Sequence, residues 1–350
     1  MLAPVLHPLV LARLMSGLAA ALLVTAALRV AWRVLRSDSE RRGQAPGDAG
    51  ASEAQIANER QAELVASLVQ VALAIAALGL VLTVLAADGL SDSIRGAMCA
   101  WGVFSSTRAG FAALGTSAVA TVACALWLVV HRLDLRLLRP TLTRDKLAAT
   151  FALAPLLWLD LGLTWTFFAQ LDLSAVASCC SSSLDPGVGH VFGASGGPRF
   201  LAFGVALALG LAAAASALLT RRRPTATRSY LTAAASAGAA VATVPAVLGY
   251  VAPYVYGTPR HLCPFCLLHA DAGGIGWPLL GAWLAGSALG LSLALVARCR
   301  RRVDEPAVAD DLSRALGRAT AVAWLALVAL CVFPVARYYV ASGGASLFTG

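Results

Sequence analysis

Eight apolar runs, each close to the length of one membrane crossing, constrain this chain more than any other feature. A helix needs about 20 apolar residues to cross about 30 Å of hydrocarbon. The runs lie at about 5–30, 62–87, 110–131, 147–169, 200–220, 229–250, 274–297 and 319–340. Since 59% of the 350 residues are hydrophobic and only 13% are charged, an aqueous globular surface is excluded. The sequence therefore predicts an all-α, polytopic integral membrane bundle of about eight transmembrane helices.

The first run is the weakest of the eight. Arg13 and Arg29 leave only 15 residues between them, which is short for a span. The alternative for this segment is a helix that lies in the membrane interface.

The positions of the basic residues predict the orientation. Lys and Arg in short loops stay on the cytoplasmic side of a membrane. The segments 33–60, 132–146, 221–228 and 298–318 hold 20 of the 27 Lys and Arg residues. We therefore expect both termini to lie outside, in a multi-pass protein of a bacterial inner membrane. Because the net charge of +9 sits in short gaps between apolar runs, a nucleic-acid partner is not expected.

No glycine-rich nucleotide loop lies between a strand and a helix, so no nucleotide cofactor is expected.

The alternation of apolar runs and basic loops divides the chain into segments. The predicted segments are an N-terminal helix (1–36), a flexible cytoplasmic linker (37–58), a two-helix unit with an outer loop (59–146), a four-helix core (147–297), a cytoplasmic loop (298–318) and a C-terminal helix with an outer tail (319–350).

The strongest chemical signal is the segment His261-Leu-Cys263-Pro-Phe-Cys266-Leu-Leu-His269, just before the seventh run. A Cys-x-x-Cys pair at a helix N-terminus has its first sulfur near unpaired N–H groups, which favour the thiolate. Cys263 is then the expected nucleophile and Cys266 its partner. A zinc site made of the two cysteines with His261 and His269 is an alternative, and two unreactive buried thiols are another.

A second signal is the adjacent pair Cys179 and Cys180 in the outer loop after the fourth run. Neighbouring Cα atoms lie about 3.8 Å apart, so a disulfide between them would be strained and easily reduced. Such a pair suits exchange with Cys263, or capture of Cu(I) or Hg(II). A structural disulfide from one of the two to Cys99, in the preceding outer loop, is the alternative.

Asp160 lies within the fourth run, slightly toward its outer half. An ionisable side chain at this depth is costly and suggests a proton relay. The alternative is a carboxyl group that is hydrogen-bonded to a neighbouring helix for packing alone.

The order of these features resembles the four-helix core of the vitamin K epoxide reductase family. Over 147–297 a helix is followed by a loop with Cys179 and Cys180, two further helices and then Cys263 and Cys266. The resemblance implies that Cys266 faces a membrane quinone, and that Cys263 exchanges with the loop pair. It also implies that the loop pair meets a soluble thioredoxin-like partner. In that family the loop cysteines are separated by several residues, whereas here they are adjacent.

Together these features predict a quinone-dependent membrane thiol–disulfide oxidoreductase, with Cys99, His261 and His269 as auxiliary residues. Two other functions stay open from the sequence. One is binding or transport of a soft metal, copper or mercury, by the same cysteines. The other is a non-catalytic membrane subunit whose disulfides are structural.

Overall fold

The computed structural model describes residues 4–41, 50–97, 99–139, 141–173 and 196–348, and within these ranges the chain forms helices and no β-strand. The helices are α1 (Pro8–Arg41), α2 (Gly50–Gly89), α3 (Ala100–Ser105), α4 (Gly110–Asp134), α5 (Thr143–Ala169), α6 (Gly196–Arg222), α7 (Ala226–Tyr256), α8 (Gly276–Cys299) and α9 (Pro306–Ala341). Helix α7 contains one π-helical turn at Val247–Val251.

Eight of these helices, all except the short α3, are long and apolar enough to cross a membrane. Each of the predicted apolar runs falls on one of them, including the first, which lies on α1. The predicted all-helical membrane bundle is confirmed. The chain is a multi-pass integral membrane protein whose natural environment is a lipid bilayer.

Several helices extend beyond their apolar runs. Helix α1 continues to Arg41 and α2 begins at Gly50, so most of the predicted linker 37–58 is helical, and 42–49 lie outside the described residues. Helix α9 begins at Pro306, within the predicted cytoplasmic loop 298–318, where the sequence of 303–317 already indicates a short amphipathic helix. The physical reason is that Ala, Glu, Gln and Arg have high helix propensity, so a helix does not have to end where the hydrocarbon ends.

The helices group into two compact units. The first contains residues 1–86, 108–171 and 301–308, and the second contains 87–107, 172–300 and 309–350. The predicted four-helix core 147–297 stays a prediction; in this grouping α5 belongs to the first unit and α6, α7 and α8 to the second. Most of α9 also belongs to the second unit.

In the first unit, a buried ion pair joins Arg13 of α1 to Asp160 of α5 at 2.5 Å. Ser117 of α4 donates to the other carboxylate oxygen at 2.5 Å. The guanidinium also donates to three hydroxyl groups, which lie on α2, α4 and α5 and belong to Thr83, Ser117 and Thr164. All four long helices of the unit thus contribute to one hydrogen-bonded network. It explains how α1 carries an arginine that is only 1% exposed.

In the second unit, small residues allow α7, α8 and α9 to pack closely. Gly290 of α8 faces Ser236 of α7, and a Cβ atom at Gly290 would overlap the Ser236 side chain. Ser236 also accepts a hydrogen bond from the indole N–H of Trp324, on α9, at 3.1 Å. Close backbone approach at small residues is a main source of helix association in membranes, where lipid is as apolar as the side chains.

We predict that Asp160→Ala destabilises the protein by about 3–5 kcal/mol, because it leaves the Arg13 charge buried without its counter-ion. The double variant Arg13→Met/Asp160→Leu should recover most of this loss. Asp145→Ala is the control, since Asp145 pairs with Arg302 at 3.0 Å on an exposed surface and should cost at most about 1 kcal/mol. Thermal unfolding in detergent measures all three. Equal losses for Asp160→Ala and Asp145→Ala would contradict the prediction.

We also predict that Gly290→Ala destabilises the protein by about 1–3 kcal/mol through overpacking against Ser236. Gly281→Ala is the matched control in the same helix, because a Cβ atom there meets nothing within 4 Å. The alanine at 281 should be neutral or slightly stabilising, since alanine has the higher helix propensity. Thermal unfolding of both variants is the measurement, and a stable Gly290→Ala protein would argue against close packing.

Candidate functional site: a buried cysteine cluster

Three cysteines of the second unit converge at one place. The Sγ atoms of Cys99, Cys263 and Cys266 all lie within 4.8 Å of one another. The Cys99 and Cys263 sulfurs lie 3.2 Å apart. All three side chains are buried, with exposed fractions of 0%, 0% and 7%. Two segments that are 164 residues apart in sequence therefore form one sulfur cluster.

Cys99 is positioned by the segment that follows α2. A short 3-10 turn, Ser91–Ser93, comes just after the end of α2. Cys99 itself is extended and immediately precedes α3. The Asp88 carboxylate accepts a hydrogen bond from the Ala100 backbone N–H at 3.2 Å, which ties the start of α3 to the end of α2.

The Cys263–Cys266 segment is held by the ends of two helices. Helix α7 ends before Gly257, whose positive φ of 64° turns the chain away. The Tyr256 hydroxyl donates to the Cys266 carbonyl at 2.8 Å. At the start of α8, the Trp277 indole donates to the Leu268 carbonyl at 3.1 Å.

The expectation that Cys-x-x-Cys caps a long helix differs from the structure. Helix α8 begins only at Gly276, ten residues after Cys266. Cys266 instead opens a three-residue 3-10 turn, Cys266–Leu268. A helix dipole acts over the first turn of a helix, so α8 does not provide the expected stabilisation of a Cys263 thiolate.

Aromatic side chains pack around the cluster. The ring of Phe265, between the two cysteines, lies 5.3 Å from that of Phe104 and 6.3 Å from that of Trp101, both on α3. Phe104 is fully buried. These rings join the Cys99 segment to the Cys263–Cys266 segment and exclude water from the sulfurs.

His269 is paired with Asp88 at the edge of the cluster. Its Nε2 lies 3.0 Å from both carboxylate oxygens. The hydrogen bond to Asp88 raises the pKa of His269, burial opposes this, and the negative charges of Asp88, Cys266 and Asp271 add to the increase. About a third of each side chain is exposed, 35% for His269 and 31% for Asp88, so this pair forms a partly exposed edge of the cluster.

The predicted zinc set is only partly brought together. The described residues contain one group of three or more metal-ligating side chains with converging ligand atoms, and it consists of Cys99, Cys263 and Cys266. The ring of His261 stacks on Tyr256 at 3.9 Å, and its Nε2 is buried without a hydrogen-bond partner among the described residues. His269 is occupied by Asp88.

The remaining predicted site residues lie elsewhere. Asp160 belongs to the first unit, where Arg13 and Ser117 satisfy its carboxylate. A role for Asp160 in proton transfer stays a prediction, and the ion pair is enough to explain its burial. Cys179 and Cys180 lie outside the described residues, so their exchange with Cys263 and the structural bridge to Cys99 also stay predictions.

Asp88 is the residue that sequence analysis missed. Its signal was an acidic residue at the end of an apolar run, followed directly by glycine. Such a residue is usually a helix end facing water, and nothing in its sequence neighbourhood indicates that it contacts both His269 and Ala100.

The distances indicate what the cluster can do chemically. A disulfide requires about 2.05 Å between sulfurs, so Cys99 and Cys263 need to approach by little more than 1 Å to bond. Three thiolates around one metal ion at about 2.3 Å would have sulfurs about 4 Å apart. The 3.2 Å separation lies between these two geometries, so movements of about 1 Å lead either to a disulfide or to a trigonal metal site.

Comparisons with known proteins returned no counterpart. No family model matches the chain, and neither a curated protein nor a solved structure matches it.

We predict that the contribution of His269 to stability depends on pH. Because the folded-state pKa is raised above 6.5, the contribution is complete below about 6.5 and is lost as the pH rises through the raised value. The thermal midpoint of His269→Ala should thus fall furthest below that of the wild type in acid, and the difference should shrink with rising pH. In an Asp88→Asn background the pH dependence should shrink, because the carboxylate that raises the His269 pKa most is gone. A difference that grows toward alkaline pH would refute this assignment.

Proposed function

We propose that the protein is a membrane thiol–disulfide oxidoreductase in which Cys99, Cys263 and Cys266 share one disulfide. The observation that carries the proposal is the 3.2 Å contact between Cys99 and Cys263, with the Cys266 sulfur in the same cluster. Since Cys263 has one cysteine partner on its own segment and another on a separate segment, it can form a disulfide with either. A permanent structural bridge needs only two sulfurs, so the third sulfur of the cluster favours exchange.

The exchange step is a transfer of one bond between sulfurs. The Cys99 thiolate attacks Cys263 of a Cys263–Cys266 disulfide, the Cys99–Cys263 bond forms and the Cys263–Cys266 bond breaks. Cys266 leaves as a thiolate and takes up a proton. No electrons are gained or lost in this step, and the reverse step restores the first disulfide.

Net oxidation needs an acceptor, and a membrane quinone fits the surroundings. Two thiols become a disulfide by giving two electrons and two protons, which convert a quinone to a quinol. The cluster lies at helix ends beside Phe104, Trp101 and Phe265, and such aromatic side chains suit a flat ring at a membrane surface. The electron donor in this proposal is a thiol of a soluble thioredoxin-like protein.

The proposed orientation has the cluster on the non-cytoplasmic face of a bacterial inner membrane, with both termini on that side. The distribution of 20 of 27 Lys and Arg residues over the alternate loops supports it. Disulfides persist on that face, whereas cytoplasmic thiols are kept reduced. Orientation and chemistry therefore agree.

Soft-metal binding is a second candidate, favoured by one observation. Three buried cysteine sulfurs within 4.8 Å of one another form a donor set for Cu(I) or Hg(II). Binding at three equal distances would require Cys99 and Cys263 to separate from 3.2 Å to about 4 Å. The oxidoreductase needs the opposite movement.

The experiment is thiol trapping on the full chain in membranes, after full reduction and removal of the reductant. We expect added quinone to convert the Cys263 and Cys266 thiols to a disulfide. We also expect a Cys99–Cys263 disulfide to appear as the product of the exchange step. Alkylation before and after reduction, followed by mass spectrometry, identifies each pair. Cys99→Ser should abolish the second species, whereas Cys331→Ser, which removes another buried thiol of the same unit, should leave both unchanged.

Three results would contradict the oxidoreductase. Thiols that stay reduced with quinone and are protected only by Cu(I) or Hg(II) would indicate metal binding. One disulfide that persists through every redox condition would indicate a structural bridge. Oxidation that requires Cys331 would place the chemistry outside the cluster.

A further inference from the structure

Asp88 is hydrogen-bonded to both cysteine-bearing segments. One carboxylate oxygen accepts the N–H of Ala100, the residue after Cys99. Both oxygens lie 3.0 Å from Nε2 of His269, three residues after Cys266. Because Asp88 is at the last turn of α2, these contacts anchor the two segments to the end of a long helix.

Contacts between the sulfurs contribute little to keeping the two segments together. A thiol is a weak hydrogen-bond donor and acceptor, so the 3.2 Å contact of Cys99 with Cys263 does not maintain itself. Hydrogen bonds to a carboxylate are about twice as strong as neutral ones. The packing of Phe265 against α3 also connects the segments, but it is apolar and sets no direction.

We propose that Asp88 is a positioning residue for the cysteine cluster, and that its carboxylate, bridged between Ala100 and His269, keeps Cys99 within bonding reach of Cys263. This inference rests on the proposed oxidoreductase function, because sulfur exchange requires the Cys99 and Cys263 sulfurs to approach each other. The geometry on which it depends is independent of quinone or of any partner.

The Asp88 carboxylate has two contacts, one arm to Ala100 and one arm to His269, and their removal predicts different effects. Asp88→Ala removes both, so the sulfurs should separate most. His269→Ala removes one arm and leaves the Ala100 hydrogen bond in place. His269→Gln keeps an N–H donor at the end of a side chain of similar reach, so it should restore most of what His269→Ala loses.

The test measures how fast Cys99 and Cys263 form a disulfide in the full-length protein in membranes when diamide is added. Diamide takes two electrons and two protons from the two thiols and becomes the hydrazine, while the S–S bond forms. We expect Asp88→Ala to slow this reaction by about tenfold or more, His269→Ala to slow it less, and His269→Gln to recover most of the rate. Asp92→Asn, an exposed acidic residue in the adjacent turn, is the matched control and should react as the wild type does.

Alkylation of Cys124 and Cys331 reports on folding in the same samples, because both thiols are buried in helices that carry no residue of the cluster. If Asp88→Ala exposes them, the comparison of His269→Ala with His269→Gln decides. Wild-type rates in Asp88→Ala with both thiols protected, or equal rates in the two His269 variants, would overturn the proposal.

The result separates this inference from the proposed function. If diamide forms the disulfide in an Asp88-dependent manner but quinone never oxidises the cluster, the oxidoreductase fails and the positioning role of Asp88 stands. If the wild type forms no Cys99–Cys263 disulfide with diamide, the positioning role fails as well.

Discussion

The hydrocarbon of a bilayer offers no water to backbone or side-chain polar groups, and the whole structure depends on this constraint. Inside the membrane, the backbone must form its hydrogen bonds within helices. Any charge there must find its partner in the protein. Arg13 and Asp160 satisfy this requirement together, because each would be costly alone and the pair is surrounded by hydroxyl groups. The same interaction connects α1 to the rest of the first unit.

Where the helices end, the backbone is free to turn, and the chemistry-bearing residues lie at these ends. Asp88 is in the last turn of α2, Cys99 precedes α3, and Cys266 opens a 3-10 turn between α7 and α8. The irregular segments are short and tied to rigid helices through Asp88, Tyr256 and Trp277. Reactive groups on such supports hold their geometry better than groups on a free loop.

Burial of the cluster influences which reactions it supports. Phe104, Trp101 and Phe265 surround the sulfurs, so water-soluble thiols do not reach them directly. The proposed exchange between Cys99 and Cys263 would proceed inside the protein, because the two sulfurs are already in contact. The Asp88–His269 pair forms a partly exposed edge of this interior. In the proposed function, an external thiol would meet the cluster at this partly exposed edge.

The sequence by itself determined the helical class and the eight segments long and apolar enough to cross a membrane, and it singled out Cys263 and Cys266 as candidate site residues. Hydropathy is a local property that sums over consecutive residues, and a Cys-x-x-Cys pair is recognisable within four positions. Only the tertiary structure decided that Asp160 pairs with Arg13, that Cys99 rather than a histidine joins Cys263 and Cys266, and that Asp88 links their segments. These contacts join residues separated by 12 to 181 positions, among them Cys99 and Cys263 at 164. They depend on which helix ends meet, and that is set by packing between helices rather than by any pattern along the chain.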